Sequence, residues 1–137
     1  MSHALKMFLE PGQKVPANNI PAELVFDGLI PVETELSRLA NACLDLKAPS
    51  AFIFVSSIAE IHKISKELRS FWDRRFTFWV FYPKKPHLNT DLSRDVTWKE
   101  LKRLGLQGTR QVAISDEWSC MYVKNTGKSD YVEIVPG

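Results

Sequence analysis

Two stretches of the chain decide its fold: AFIFV at residues 51–55 and FTFWVFY at residues 76–82. Both consist of apolar, aromatic or β-branched residues, which is the pattern of strands covered on both faces within a parallel sheet. The residues between them are numerous enough for a helix, and a strand, a helix and a second strand form a right-handed crossover. The two strands are therefore predicted to be parallel neighbours.

A helix is predicted between these strands. Ser57 and Glu60 have the spacing of a capping box, in which a hydroxyl and a carboxylate accept N–H groups at a helix start. Apolar residues then recur at helical spacing as far as Trp72. His62 falls on the charged face and is interpreted as a solvent-exposed helix residue, because no partner pattern surrounds it.

A third helix is predicted after the second strand. It is expected to begin near Thr90 or Asp91, whose side chains can accept free backbone N–H groups at a helix start. Thr97 and Glu100 form a capping pair if the helix begins later. Gly105 is expected to end it.

The C-terminal part predicts further strands. Residues 111–115 and 118–124 are predicted strands, joined by Asp116 and Glu117 as a two-residue hairpin connection. Residues 131–135 are a candidate for one more strand. The last strands are expected to form an antiparallel pair.

Prolines and glycines interrupt the N-terminal third. Strands around residues 14–17 or 24–26 must be short or at an edge, in a segment interpreted as wrapping around the core. Residues 33–46 have apolar positions at helical spacing and predict an amphipathic helix, with partial strand structure left open. Pro49 is expected to end this element.

The order of these elements predicts an α/β fold. At this length, residues 1–137 are expected to form a single domain. We expect a three-layer sandwich whose mostly parallel, Rossmann-like sheet ends in the antiparallel strand pair.

Composition argues against several classes of protein. The chain is 45% hydrophobic and 25% charged, which is typical of a globular domain. It has no apolar run near the roughly 20 residues that span a bilayer, and no signal peptide, so a cytoplasmic protein without membrane contact is expected. Cys43 and Cys120 are interpreted as reduced, buried packing residues. Two distant cysteines and three scattered histidines predict no metal site.

Charge is distributed unevenly along the chain. The net charge is +2, but residues 51–110 carry twelve Lys and Arg against six Asp and Glu. A basic segment can bind an anionic ligand or nucleic acid, or it can form the solvated faces of helices. No nucleic-acid-binding motif accompanies the charge, so nucleic acid is not the expected partner.

Several motifs resemble one protein family. In order, they are FWVFYPKK from residue 78, TDL from residue 90, DV from residue 95, VAI from residue 112 and EWS from residue 117. This combination resembles the bacterial domain of unknown function 3052 family over residues 5–124, most strongly from residue 51 onward. Cys120 and Met121 depart from the residues usual there. The resemblance implies an α/β fold and a bacterial-type intracellular protein, without an activity.

The order of elements from Ala51 is also similar to the C-terminal half of Rossmann-like methyltransferases, as an analogy of fold alone. A cofactor-binding member needs a glycine-rich turn after its first strand, so that the backbone can approach the ligand. Gly12 and Gly28 are the only glycines before Gly105. No cofactor is therefore predicted.

The strongest candidate site follows the second strand. Lys84 and Lys85 come at the carboxyl end of that strand, where ligands bind in open α/β sheets. Together with Thr90 and Asp91 they are candidates to bind a phosphate or carboxylate. The alternative is a solvated loop in which Asp91 caps the next helix.

Asp116, Glu117 and Ser119 form a second candidate site, for a cation or a polarised substrate, with turn and core roles as the alternative. No histidine is positioned as their base, so no catalytic residue is predicted. The favoured function is a non-catalytic binding or interaction module for an anionic small molecule or a protein partner. The alternative is a small-molecule enzyme acting on a phosphorylated or acyl substrate.

Overall fold

The two apolar stretches form neighbouring parallel strands at the centre of a six-stranded sheet. A computed structural model of the chain describes residues 3–126, so the strand predicted at residues 131–135 lies outside the described residues. Strand β3 (Ala51–Phe54) pairs in parallel with β4 (Phe78–Pro83). The prediction that decided the fold is therefore confirmed.

Four more strands complete the sheet: β1 (Gln13–Asn18), β2 (Leu29–Glu33), β5 (Gly108–Ala113) and β6 (Trp118–Val123). The order is β2-β1-β3-β4-β6-β5. The first four strands of this order are parallel, and β6 is antiparallel to both β4 and β5. The predicted α/β fold, with a mostly parallel sheet that ends in an antiparallel pair, is confirmed.

The N-terminal third differs from the prediction. β1 covers residues 14–17, but it lies inside the sheet between β2 and β3, and Val15 and Ala17 are fully buried. Residues 24–26 are not a strand. The second strand is instead β2, where Pro31 is tolerated because an edge strand has one side without a hydrogen-bonded neighbour. The interpretation of this segment as mere wrapping was wrong.

Within residues 3–126, five α-helices accompany the sheet: α1 (His3–Lys6), α2 (Leu39–Leu46), α3 (Ile58–Lys63), α4 (Ser65–Asp73) and α5 (Arg94–Arg103). The helix predicted over residues 33–46 is confirmed only from Leu39, because Glu33 ends β2 and a 3₁₀ turn covers Leu36–Arg38. The single helix predicted after Ser57 is divided into α3 and α4 at Ile64. None of the helices formed by residues 3–126 is long and apolar enough to cross a membrane.

The sheet separates two hydrophobic clusters. Helices α2 to α5 all contribute to one cluster, which includes Leu68 of α4, Leu101 of α5 and Val80 of β4. On the other face, α1 and the loop that contains Phe26 cover Phe52 and Phe81. The expected three-layer sandwich is not confirmed, because the longer helices contribute to only one of the two clusters.

Both cysteines are buried and free, as predicted. Cys43 belongs to the cluster beneath the helices, and Cys120 to the opposite one. Desolvation raises the pKa of the Cys43 thiol to about 12, and it also raises the pKa of Cys120. Both groups are therefore neutral packing residues at ordinary pH.

Phe81 offers a test of the core. Its ring lies 4.3 Å from the ring of Phe54, 4.8 Å from Phe52 and 5.6 Å from Phe26, between centroids. We expect Phe81→Ala to lower the free energy of unfolding by about 3 to 5 kcal/mol, through lost burial and the cavity left behind. Urea denaturation measures this change. The control Leu44→Ala, at a side chain 78% exposed, should change it by less than about 0.5 kcal/mol, and a similar effect of both variants would contradict the packing described.

Candidate functional site

The loop after β4 holds the two predicted lysines beside the β5–β6 turn. The backbone N–H of Lys84 donates to the carbonyl oxygen of Glu117 at 2.8 Å, so the two segments are adjacent. Lys84 is half-buried and Lys85 is exposed. No ion pair among residues 3–126 joins either lysine to Asp116 or Glu117.

Thr90 and Asp91 connect the β4 loop to the start of α3. Thr90 Oγ1 donates to the carbonyl oxygen of Ser56 at 2.8 Å. An Asp91 carboxylate oxygen accepts the backbone N–H of Ile58 at 2.9 Å, one of the N–H groups that a helix start leaves without an intrahelical partner. Asp91 therefore stabilises a helix that precedes it in the chain.

The predicted start of α5 was wrong. Ser93, not Thr90 or Asp91, is its N-cap, and its hydroxyl accepts the backbone N–H of Val96 at 3.2 Å. Thr97 and Glu100 lie within the helix and are buried. They therefore do not form the alternative capping pair.

The capping box at α3 is only half present. Ser57 Oγ accepts the backbone N–H of Glu60 at 3.1 Å, as predicted. The Glu60 carboxylate instead accepts both the backbone N–H and the hydroxyl of Ser56, each at 2.8 Å. Ser56 and its neighbours are consequently held by Glu60 on one side and Thr90 on the other.

Ser119 is a structural residue of the terminal strand pair. It is fully buried, its hydroxyl donates to the carbonyl oxygen of Val112 at 3.1 Å, and it accepts from Gln111 at 3.2 Å. The Gln111 side-chain amide also donates to the Tyr82 hydroxyl at 2.9 Å. Desolvation raises the pKa of this phenol. The hydroxyls of Ser119 and Tyr82 therefore connect β5 to β6 and β4 through their hydrogen bonds with Gln111 and Val112.

The turn between these strands is longer than predicted. β5 ends at Ala113, so residues 114–117 separate it from β6. The hydroxyl of Ser115 accepts the backbone N–H groups of Glu117 and Trp118, each at 3.1 Å. Asp116 and Glu117 are exposed, which fits turn residues.

His87 is a residue that sequence reasoning missed. Its side chain is 17% exposed and lies between two carboxylates, with Nε2 3.4 Å from Glu23 and Nδ1 3.6 Å from Glu117. The pKa of Glu23 is lowered, first by its own backbone N–H and further by His87. Glu23 belongs to the loop between β1 and β2, so no local sequence signal joins it to His87.

His62 also has a partner that the sequence did not predict. Its Nε2 lies 2.8 Å from a carboxylate oxygen of Glu100, which is buried. The imidazole is half exposed, as expected for its helix face. The pair joins α3 to α5, and such contacts between helices distant in sequence carry no periodic signal.

The carboxyl ends of β1 and β2 form a second missed arrangement. The Glu33 carboxylate accepts the backbone N–H groups of Asn19 and Ile20 through its two oxygens, both at 2.8 Å. Asn19 has a φ of 70°, in the left-handed region that Asn tolerates better than most residues. Glu33 thus provides the acceptor for two successive N–H groups in the loop after the first strand.

An open cavity of about 420 Å³ lies next to this carboxylate. Its lining comes from the ends of β1, β2 and β3 and from α3: Asn18, Asn19, Glu33, Phe54, Val55, Glu60, Lys63 and Ile64. The chain leaves β1 for β2 on one side and returns to β3 on the other, which makes β1 and β3 a topological switch point. Open α/β sheets bind ligands at such a point.

Neither a metal-binding arrangement nor similarity to known proteins assigns a function to these sites. Within residues 3–126, no group of three or more His, Cys, Asp or Glu side chains is arranged to hold a metal ion. No family model matches the chain, and a search of curated proteins finds none that is similar. The resemblance to the domain of unknown function 3052 family therefore stays a prediction.

The capping contact of Asp91 can be tested directly. We expect Asp91→Ala to lower the free energy of unfolding by about 1 kcal/mol, because a helix N-terminal N–H loses its acceptor. Asp91→Asn should keep most of the stability, since its amide oxygen still accepts. Thermal or urea unfolding measures both variants. Asp116→Ala, at an exposed turn acid, is the matched control, and equal effects of Asp91→Ala and Asp116→Ala would contradict the capping role.

Proposed function

We propose that this chain is a non-catalytic binding or interaction module on a Rossmann-like scaffold. The observation that carries the proposal is the contact of Glu33 with the backbone N–H groups of Asn19 and Ile20. In cofactor-binding relatives of this architecture, the backbone after the first strand approaches an anionic ligand. Here a carboxylate of the chain itself takes that position.

The polar groups after β4 support the same proposal. Thr90 binds the backbone of Ser56 in the β3–α3 loop, Asp91 binds the first N–H of α3, and Ser119 binds within the strand pair. A catalytic hydroxyl or carboxylate needs a partner that activates or orients it toward substrate. The contacts of these three side chains instead hold loops and strands together.

The strand order supports the Rossmann-like part of the proposal. β6 lies antiparallel between β4 and β5, as in the terminal strand pair of Rossmann-like methyltransferases. We infer that the chain is a degenerate relative of such cofactor proteins. In this proposal, α1 and the Phe26 loop, which cover Phe52 and Phe81, form a reduced third layer. Membership of the domain of unknown function 3052 family and a cytoplasmic location are part of the same proposal.

An enzyme for an anionic substrate is the alternative. His87 favours it, because this imidazole lies between Glu23 and Glu117 at the carboxyl end of β4, and Lys84 and Lys85 are its neighbours in the chain. A histidine paired with a carboxylate is a common general base. The lysines would then bind the phosphate or carboxylate of the substrate.

Cofactor titration tests the proposed module. We expect no measurable heat when S-adenosylmethionine or a dinucleotide is titrated into the wild-type chain, because Glu33 already occupies the N–H groups of the first loop. Glu33→Ala should lower the free energy of unfolding by about 1 kcal/mol, as those hydrogen bonds are lost. Glu35→Ala, at an exposed neighbour, serves as its control. Micromolar affinity of the wild type for either cofactor would refute the proposal.

Native mass spectrometry tests whether Lys84 and Lys85 hold a ligand, which the enzyme requires for its anionic substrate. If the loop has only a structural role, wild-type protein purified from cells carries no anion that depends on these lysines. The double variant Lys84→Ala, Lys85→Ala should change stability by at most about 1 kcal/mol, because neither lysine forms an ion pair among residues 3–126. Absence of such an anion from the wild type would contradict the enzyme, whereas an anion that disappears in the double variant, with unchanged melting, would show that the lysines hold a ligand.

A further inference from the structure

The β5 edge of the sheet has features of a docking surface. Among residues 3–126, β5 pairs only with β6, so one side of the strand has no strand neighbour. An edge strand without a neighbour presents backbone N–H and C=O groups that can pair with an added strand. The side chains around this edge determine which kind of partner it can bind.

The free backbone groups can be assigned to particular residues. Ile114 N–H donates to the carbonyl oxygen of Trp118, and the register pairs Val112 with Cys120 and Ala113 with Ser119. Hydrogen-bonded and non-hydrogen-bonded pairs alternate along an antiparallel ladder. Gln111 and Ala113 therefore direct their backbone N–H and C=O groups away from β6.

A cavity beside this edge has an aromatic wall. It has a volume of about 280 Å³, and its lining includes Trp98 of α5 together with Gly108, Gln111 and Met121. Trp98 is 41% exposed. Gly108 presents no side chain to this cavity, and a Cβ atom there would require the Met121 side chain to shift.

The other face of the edge has a similar pair of groups. The Arg110 guanidinium lies 4.9 Å from the ring centroid of Phe8, whose side chain is 55% exposed. On the helical face, the Lys102 ammonium lies 5.1 Å from the Trp98 ring centroid. Each face of the edge thus combines an exposed aromatic ring with a cation.

Charge at this edge is predominantly positive. Arg94 lines the cavity and Lys102 lies over its tryptophan, while the Arg110 guanidinium adds a positive charge on the opposite face of the edge. Asp95 is the only acid in the cavity lining, and its carboxylate is 3.3 Å from the Arg94 guanidinium. The surface is therefore complementary to acidic groups.

We propose that the β5 edge binds an extended acidic peptide segment of a partner protein, which adds to the sheet as a strand. Side chains of an added strand alternate between the two faces, so one set would meet Trp98 and Lys102 and the other Phe8 and Arg110. The free backbone of Gln111 and Ala113 favours a peptide over single-stranded nucleic acid, which needs no strand edge. This inference rests on the proposed function as a binding module.

A labelled peptide of Val-Val-Glu-Glu repeats is the probe, because it presents apolar and acidic side chains on both faces of a strand. Fluorescence anisotropy measures its binding to the full chain. Comparison probes are the same peptide with Lys in place of Glu, the peptide with alternate backbone nitrogens methylated, and oligothymidine. We expect the acidic peptide to bind, with weakening by added salt, and about tenfold weaker binding after N-methylation.

Variants then locate the surface. Trp98→Ala and Arg110→Gln should each weaken binding about tenfold, because both side chains contact the added strand. Ala113→Pro removes an outward N–H from the edge without removing a β5–β6 hydrogen bond, and it should weaken binding similarly. Arg38→Gln, an exposed arginine next to β2, should leave binding unchanged. Unfolding curves of each variant confirm that the fold is kept.

The proposal is overturned if the acidic peptide binds no better than the lysine peptide, or if N-methylation leaves binding unchanged. It is also overturned if oligothymidine binds more tightly than the peptide, or if Arg38→Gln weakens binding as much as Arg110→Gln. Failure of the proposed function would be seen separately, as cofactor affinity in calorimetric titration. The two conclusions can therefore fail independently.

Discussion

β3 and β4 are buried over their whole length, and the two faces of this strand pair support the two hydrophobic clusters of the protein. Ile53 and Val80 pack on the face covered by helices α2 to α5, whereas Phe52 and Phe81 pack on the face covered by α1 and the Phe26 loop. A shift of one residue in the register of either strand would exchange these two sets of side chains. Burial on both faces therefore specifies the pairing on which the positions of all other elements depend.

Polar groups at the carboxyl edge of the sheet hold the loops that follow the buried strands. Loops that cross the end of a parallel sheet have backbone groups that need partners. Glu33 binds the loop after β1, Glu60 binds Ser56, and Asp91 binds the start of α3. The same edge that binds ligands in related folds is here crossed by contacts within the chain. These internal contacts are the physical basis for proposing a binding module instead of a cofactor enzyme.

Capping residues illustrate why sequence reasoning succeeded for one part of the edge and failed for another. Ser57 caps the helix that follows it, as its spacing to Glu60 predicted. Asp91 has equally suitable chemistry, but it binds Ile58 of an earlier helix, while Ser93 caps α5. A local rule cannot distinguish a side chain that serves the next helix from one that serves a helix packed against it.

Sequence alone determined the central strand pair, the helical character of the segment between the strands, the terminal antiparallel pair and the burial of both cysteines, because apolar runs and helical periodicity depend on neighbouring residues. Tertiary structure alone decided that β1 lies inside the sheet, that Glu33 closes the first loop and that His87 lies between Glu23 and Glu117. These contacts join residues distant in the chain, and only the packing of the sheet brings them within hydrogen-bonding or electrostatic range.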